Sequence, residues 1–280
     1  MNFFLNFSTL AKNYLPGQHL KGTQVRPAPK TLIEYSQPNT HKVLHVGHMR
    51  NLCLGDSLVR LHRYTGHETI SCTFPGDVGT HVAKCLWYLK NHVSEPCPET
   101  RKGAWLGELY SKGHLLLEDE TDEAKKEKNK EELTAILKQL EAGAGEYYDL
   151  WKETRQWSIE LMKSVYQWAN VEFDHWYYES TVDASSIKLI KEAFEQGKLE
   201  KSQGAIGLDL SEDKLGFCLL LKTDGTGLYA TKDVALAYKK FEDYQVEKNI
   251  YVVDKRQEYH FKQVFKVLEK MGFEHADKCF

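Results

Sequence analysis

The sequence predicts an α/β fold: a parallel sheet that carries a largely helical insertion. Three features support this. A strand–helix–strand succession occupies residues 31–74, the stretch from about 84 to 204 reads almost wholly as helix, and strand–helix alternation resumes after it. Strands joined through a helix pair in parallel, because only a crossover can bring the chain back in the same direction.

The opening "MNFFLNFSTLAKNYL" spaces Phe and Leu like a helix that docks on another surface, and it lacks the basic leader and small-residue cleavage site of a secretory signal. "TLIEYS" (31–36) is a short β-prone run that "QPNT" breaks. From Gly47 to Thr65 the pattern is helical. Leu54, Leu58 and Leu61 are expected to line its buried seam, Cys53 and Val59 to widen it, and Gly66 to end it. "ETISCTF" (68–74) is the next strand, closed by "PGDVG".

In the middle, "EDETDEAKKEKNKEEL" (118–133) is a charge run that predicts a solvated helix face. Trp157, Leu161, Val165 and Trp168 recur at helical spacing, which predicts an amphipathic helix with its tryptophans in the core. "GAIGLDL" and "FCLLLKT" within 204–223 read as strands, with "DGTG" (224–227) as a turn. Thr231 is expected to cap a helix whose inner stripe is Val234, Ala237, Tyr238 and Phe241. "NIYVVD" (249–254) is a buried strand, and Phe261, Val264, Phe265 and Leu268 mark one face of a last helix stopped by Gly272.

The 280 residues include 37 basic and 40 acidic ones, and a net charge of −3 does not announce a nucleic-acid binder. The balance of 41% hydrophobic and 28% charged residues is that of an ordinary globular protein, expected in the cytoplasm. No stretch approaches the ~18 apolar residues of a membrane span. Six scattered cysteines without a Cys-x-x-Cys pair predict reduced thiols and no zinc site.

"HKVLHVGHMR" (41–50) carries the chemistry. His45 and His48 flank Gly47 where a strand-like run gives way to a helix. A helix N-terminus offers unpaired N–H groups and a partial positive charge, so anions settle there. Gly47, without a Cβ, lets a flat or charged ligand approach the backbone. The two imidazoles could donate to phosphate oxygens, with Lys42 as a nearby point charge. That arrangement suits a polyphosphate whose charge grows in the transition state.

"HVGH" after a strand and opening a helix resembles the His-x-Gly-His element of class I aminoacyl-tRNA synthetases and their nucleotidyltransferase relatives. "EYSQPNTHKVLHVGHMRNLCLGDSLVR" followed by "GHETISCTFPGDVGTHVAK" resembles the start of the arginyl-tRNA synthetase catalytic domain. "DGTGLYATKDVALA" and "YVVDKRQEYHFKQVFKVLEKMG" are similar to later segments of that family, in the right order. The resemblance covers residues 25–280. It implies a Rossmann-like doubly wound parallel sheet with a helical insertion at about 84–204, preceded at 1–24 by the end of an N-terminal tRNA-contacting domain.

The resemblance also implies activation of arginine by ATP, forming AMP, and attachment to tRNA(Arg), with Mg²⁺ accompanying ATP. His45, His48 and Lys42 fall at catalytic positions, and His45, Gly47 and His48 where ATP binds. Glu34, Tyr229 and Asp233 fall where the arginine side chain is recognised, and Asn39 and Gln257 where its α-amino end is held. Two carboxylates suit a guanidinium and would be pointless for a neutral amino acid. Glu34, His45, His48, Tyr229, Asp233 and Gln257 are therefore expected to converge on one cleft at the carboxyl ends of the strands. Asp77 is expected to shape the site. Val78 stands where the family often has Trp, and His81 where it has Gln. Neither a Lys-Met-Ser-Lys-type loop nor the anticodon-binding domain follows, so the resemblance implies a poorly active catalytic fragment, with a monomer favoured. Two alternatives stay open at this point: a non-catalytic remnant that binds arginine or ATP, and a class I synthetase or nucleotidyltransferase of other specificity.

Overall fold

Strand β1 (Thr31–Glu34) is buried along its whole length, which is why its sequence is a continuous run and not an alternation. In the computed structural model, which describes residues 28–280, it lies inside a four-stranded parallel sheet. The helix and the tRNA-contacting segment expected within 1–24 lie outside the described residues. The other strands are β2 (Thr69–Thr73), β3 (His175–Trp176) and β7 (Lys248–Tyr251), in the order β3-β2-β1-β7. Thr31 registers with Thr69 on one side and with Lys248 on the other. Beyond β7, Cys279 forms a parallel bridge with Asn249, and Phe280 donates its N–H to the Asn249 carbonyl at 2.9 Å.

Helix α1 (Val46–Tyr64) crosses from β1 to β2. Four helices follow: α2 (Thr80–His92), α3 (Lys102–Glu118), α4 (Glu123–Ala142) and α5 (Glu146–Trp168). They build a satellite core around Val82, Leu86, Trp87, Ile136 and Trp151. The charge run falls largely on α4, where Asp122 caps the first turn and Ile136 is the buried residue. After β3 come α6 (Glu179–Glu195), then an antiparallel sheet of β4 (Glu200–Ser202), β5 (Ala205–Asp209) and β6 (Phe217–Leu221). Helix α7 (Tyr229–Tyr244), β7 and α8 (Glu258–Lys270) complete the chain. The main core packs α6, α7 and α8 on one face of the parallel sheet; α1 and α5 cover the other through Leu52, Val59, Met162 and Tyr166.

Three expectations need correction. On α1 the buried residues are Leu52, Gly55 and Val59, while Leu54 and Leu61 are 54% and 61% exposed and Cys53 is exposed. The cause is Gly55: a Cβ there would stand 2.1 Å from the Tyr35 ring, so the helix backbone presses on Tyr35, the residue after β1, and that contact fixes its rotation. On α5, Trp168 is 80% exposed and Trp157 only partly buried; Trp151, Thr154, Ser158, Met162 and Tyr166 face inward. Ser158 Oγ and Thr154 Oγ1 are claimed by the backbone N–H and imidazole of buried His41, at 3.0 and 2.8 Å. Finally, Thr231 lies inside α7 and is not its cap; its hydroxyl donates to the Leu220 carbonyl and accepts from the Leu228 N–H at 3.1 Å.

Candidate active site

The carboxyl ends of β1 and β7 and the first turns of α6, α7 and α8 surround one cavity of about 350 Å³. Its lining includes Glu34, Asn39, Tyr229, Asp233 and Gln257, all five positions expected to hold arginine. Glu34 ends β1 and is fully buried, with Oε1 accepting from Gln37 Nε2 at 3.0 Å and Oε2 ion-paired to Lys240. Lys240 is carried on α7, is itself buried, and sits 4.1 Å from the centre of the Tyr251 ring. Asn39 follows the "QP" break and bridges to Gly76, where a Cβ would meet Asn39 Oδ1 at 2.2 Å. Tyr229 opens α7 and is exposed; Asp233 follows one turn later. Gln257 closes a short 3-10 turn, its Oε1 accepting from the Asp254 N–H at 3.3 Å.

Among the cavity residues the sequence reading did not single out, His260 and Glu179 each contact a charged partner. His260, one turn after Gln257, places Nε2 2.6 Å from Asp233 Oδ2. Glu179, the first residue of α6, is buried and faces Lys232 Nζ at 3.4 Å. Burial pushes its carboxyl up to about 7; Lys232 opposes that, and Asp77 and Asp233 reinforce it. The Gln-x-x-His spacing could have flagged His260. Nothing local marks Glu179, whose partners lie on another helix.

Asp77 is buried beneath this rim. Its carboxylate accepts from Arg155 Nε at 2.6 Å and from the N–H and hydroxyl of Ser180 at 2.8 and 2.7 Å, tying α5 to the start of α6. His81 is buried, with Nε2 3.2 Å from the Gly76 carbonyl, and desolvation lowers its pKa to about 4. Val78 packs against the satellite core.

The second cluster stands at the N-terminus of α1. His45 is the cap: its Nδ1 accepts from the Gly47 N–H at 3.1 Å, and its own N–H donates to His48 Nδ1 at 3.2 Å. The rings stack at 3.9 Å. With each Nδ1 accepting a backbone N–H, Nε2 is the ring nitrogen left to donate in both histidines. Desolvation, then the His45 and Lys42 charges, lower His48 to about 4, which keeps it neutral at physiological pH. A Cβ on Gly47 would stand 2.9 Å from His45 Cε1. Lys42 holds its ammonium 4.8 Å from the centre of the Tyr110 ring on α3. Thus Glu34, Tyr229, Asp233 and Gln257 share the cavity, whereas His45, Gly47, His48 and Lys42 lie outside its lining. A crossover helix between parallel strands starts at their carboxyl ends, so both clusters belong to the same rim.

The arrangement can accept a cation among the cavity carboxylates and an anion at the N-terminus of α1. Among the described residues no group of three or more His, Cys, Asp or Glu side chains is placed to hold a metal ion, and no helix is long and apolar enough to cross a membrane.

The family model described as "tRNA synthetases class I (R), catalytic domain" matches residues 11–279. The arginine--tRNA ligase of Bdellovibrio bacteriovorus is 64% identical over 266 residues, covering 95% of this chain and 46% of that protein. That of Treponema denticola is 32% identical over 290 residues, covering 100% and 48%. The chain therefore spans about half the length of the curated relatives it matches. Among solved structures, Thermus thermophilus arginyl-tRNA synthetase aligns with a TM-score of 0.73 at 24% identity, covering 99% of this chain and 51% of that one. The Plasmodium falciparum enzyme aligns at 0.71 and 22%, covering 89% and 42%. These two structures share the fold.

Proposed function

The chain belongs to the arginine-type class I tRNA synthetases, and from that premise we propose that it is the part of an arginine--tRNA ligase that activates arginine with ATP and passes it to tRNA(Arg). A carboxylate oxygen of arginine attacks the α-phosphorus of ATP, and the bond to pyrophosphate breaks. A ribose hydroxyl of the terminal adenosine of the tRNA then attacks the arginyl carbonyl and displaces AMP. The protein contributes positioning and charge, with no covalent intermediate of its own. His45 and His48 donate from Nε2 to phosphate oxygens, Lys42 adds a positive charge, and Gly47 leaves room for the nucleotide against the helix backbone. Mg²⁺ bound to ATP would supply neutralisation of phosphate charge.

Asp233, Glu34 and Tyr229 receive the guanidinium, and Asn39 and Gln257 the α-amino end. We add Glu179 to the acids that face it. Within this reading residues 25–280 form the catalytic domain, helices α2–α5 within about 84–204 its insertion, and 1–24 the end of a tRNA-contacting domain. The protein works as a cytoplasmic monomer.

The observation that carries the proposal is the single cavity lined by Glu34, Asn39, Glu179, Asp233 and Gln257, residues spread over more than two-thirds of the chain. Calorimetric titration with arginine and ATP tests it. Asp233→Asn should weaken arginine binding by roughly a hundredfold while leaving ATP binding intact, because a charge-assisted pair is lost in a partly buried place. Unchanged arginine affinity would refute the assignment of the cavity.

A further inference from the structure

Helix α6 begins without a capping side chain of its own. Tyr178 stands at the cap position in extended backbone, and its side chain makes no cap hydrogen bond. The first N–H groups of a helix need acceptors from elsewhere. Asp77 meets that need from the loop after β2: its Oδ1 accepts from the Ser180 N–H at 2.8 Å and its Oδ2 from the Ser180 hydroxyl at 2.7 Å. A fully buried carboxylate requires a cation, and Arg155 of α5 supplies it, with Nε 2.6 Å from Oδ2.

The same guanidinium holds the residue on the other side of Glu179. Its central carbon lies 4.2 Å from the centre of the Tyr178 ring and 5.5 Å from that of Trp151, an attraction that grows as water is excluded. Residues 178 and 180 are therefore both fastened to Arg155, one through its ring and the other through Asp77. Glu179 lies between them. It is buried, its N–H donates to the Pro75 carbonyl at 3.5 Å, and a Cβ on Gly76 would stand 3.4 Å from its Oε1. Glu179 lines the cavity and Arg155 does not, so what Arg155 contributes there passes through the start of α6.

We propose that Arg155 is a positioning residue for arginine: through this side chain the helical insertion sets where the Glu179 carboxylate sits in the cavity. The insertion then does more than cover the sheet, because it orients one of the acids that meet the ligand's guanidinium. Removing the Arg155 guanidinium frees the Tyr178 ring and leaves Asp77 without its cation, so both fastenings of the α6 start loosen together. A guanidinium–carboxylate pair is directional, and a displaced Glu179 binds arginine less well although its own side chain is unaltered. This rests on the arginine reading of the cavity given above.

The test is a double-mutant cycle on the 280-residue chain, read by calorimetric titration with arginine and with ATP. Its members are the unaltered protein, Arg155→Gln, Glu179→Gln and the two combined. Arg155→Gln should weaken arginine binding roughly tenfold and leave ATP binding unchanged. In the Glu179→Gln background the same replacement should cost less than about twofold, because residues acting through one network do not add. Arg155→Lys keeps a cation beside Asp77 and the Tyr178 ring and should recover part of the loss. Should Arg155→Gln melt near the assay temperature, Ser180→Ala removes the hydroxyl bond to Asp77, leaves the Arg155–Asp77 pair, and should show the same dependence on Glu179. An equal loss in both backgrounds, a parallel loss for ATP, or no recovery in Arg155→Lys would mark a merely structural contact and overturn the proposal. Unchanged arginine affinity in folded Arg155→Gln would overturn it too, and the arginine site would survive all of these results. Failure of the unaltered chain to bind arginine, or binding indifferent to Asp233→Asn, would instead overturn the site reading and this inference together.

Discussion

At the scale of single residues, the site is governed by burial of charge. Glu179 is the clearest case, with its carboxyl raised to about 7 by burial. A guanidinium favours the ionised form, so arginine affinity should fall as pH drops through about 7, and Glu179→Gln should flatten that part of the profile. Arginine titrations between about pH 6 and pH 8 check this; an identical slope in the variant would remove Glu179 from the binding site. His41 shows the opposite sign. It is completely buried between Thr40 and Thr154, and desolvation lowers its pKa to about 3. A depressed histidine pKa means that the unfolded chain takes the proton first, so stability is intact above about pH 6.5 and erodes below it, by about 2 kcal/mol near pH 5. Urea midpoints that decline less steeply in His41→Gln than in the unaltered protein are the expected result. Glu34, Asn39, Tyr229, Asp233 and Gln257 were readable because they sit inside motif segments that resemble a family. Glu179 was not, because what distinguishes it is a partner 53 residues away, whereas His260 lies in the same segment as Gln257 and was passed over.

Element positions were more legible than element faces. The helix expected over Gly47–Thr65 forms as α1 over Val46–Tyr64, and the run "FCLLLKT" contains β6. Which side of α1 faces the core was misjudged, because apolar residues surround much of it and Leu54, Leu58 and Leu61 make as good a stripe as Leu52 and Val59. The deciding contact is the absent side chain at Gly55 against Tyr35, and an absence leaves no hydrophobic signal. The consequence is measurable. Gly55→Ala, although favourable for helix propensity, should destabilise the fold by about 2–4 kcal/mol through overpacking at Tyr35, whereas Leu54→Ala should cost under ~0.5 kcal/mol. Urea unfolding of both variants separates the two faces; the reverse order would put the seam back where periodicity placed it. Helix α5 repeats the lesson, since its inward face carries Thr154 and Ser158, polar residues bound to His41 that a search for apolar spacing passes over.

For the whole molecule, strand–helix alternation was enough to anticipate a parallel sheet, but not the order β3-β2-β1-β7 nor the separate antiparallel sheet β4-β5-β6. Order depends on long-range pairing, such as Thr31 with Lys248, that no local window contains. The same topology explains the site. It brings the ends of β1 and β7 and the starts of α6, α7 and α8 to one rim, and Asp77 with Arg155 and Ser180 anchors the helical insertion there. The most direct measurement of that convergence is a crystal structure of the chain with arginine bound. The guanidinium should lie within hydrogen-bond reach of Asp233 and face Glu179, with the α-amino group toward Asn39 and Gln257. Arginine density outside this cavity, with Asp233 untouched, would contradict the account.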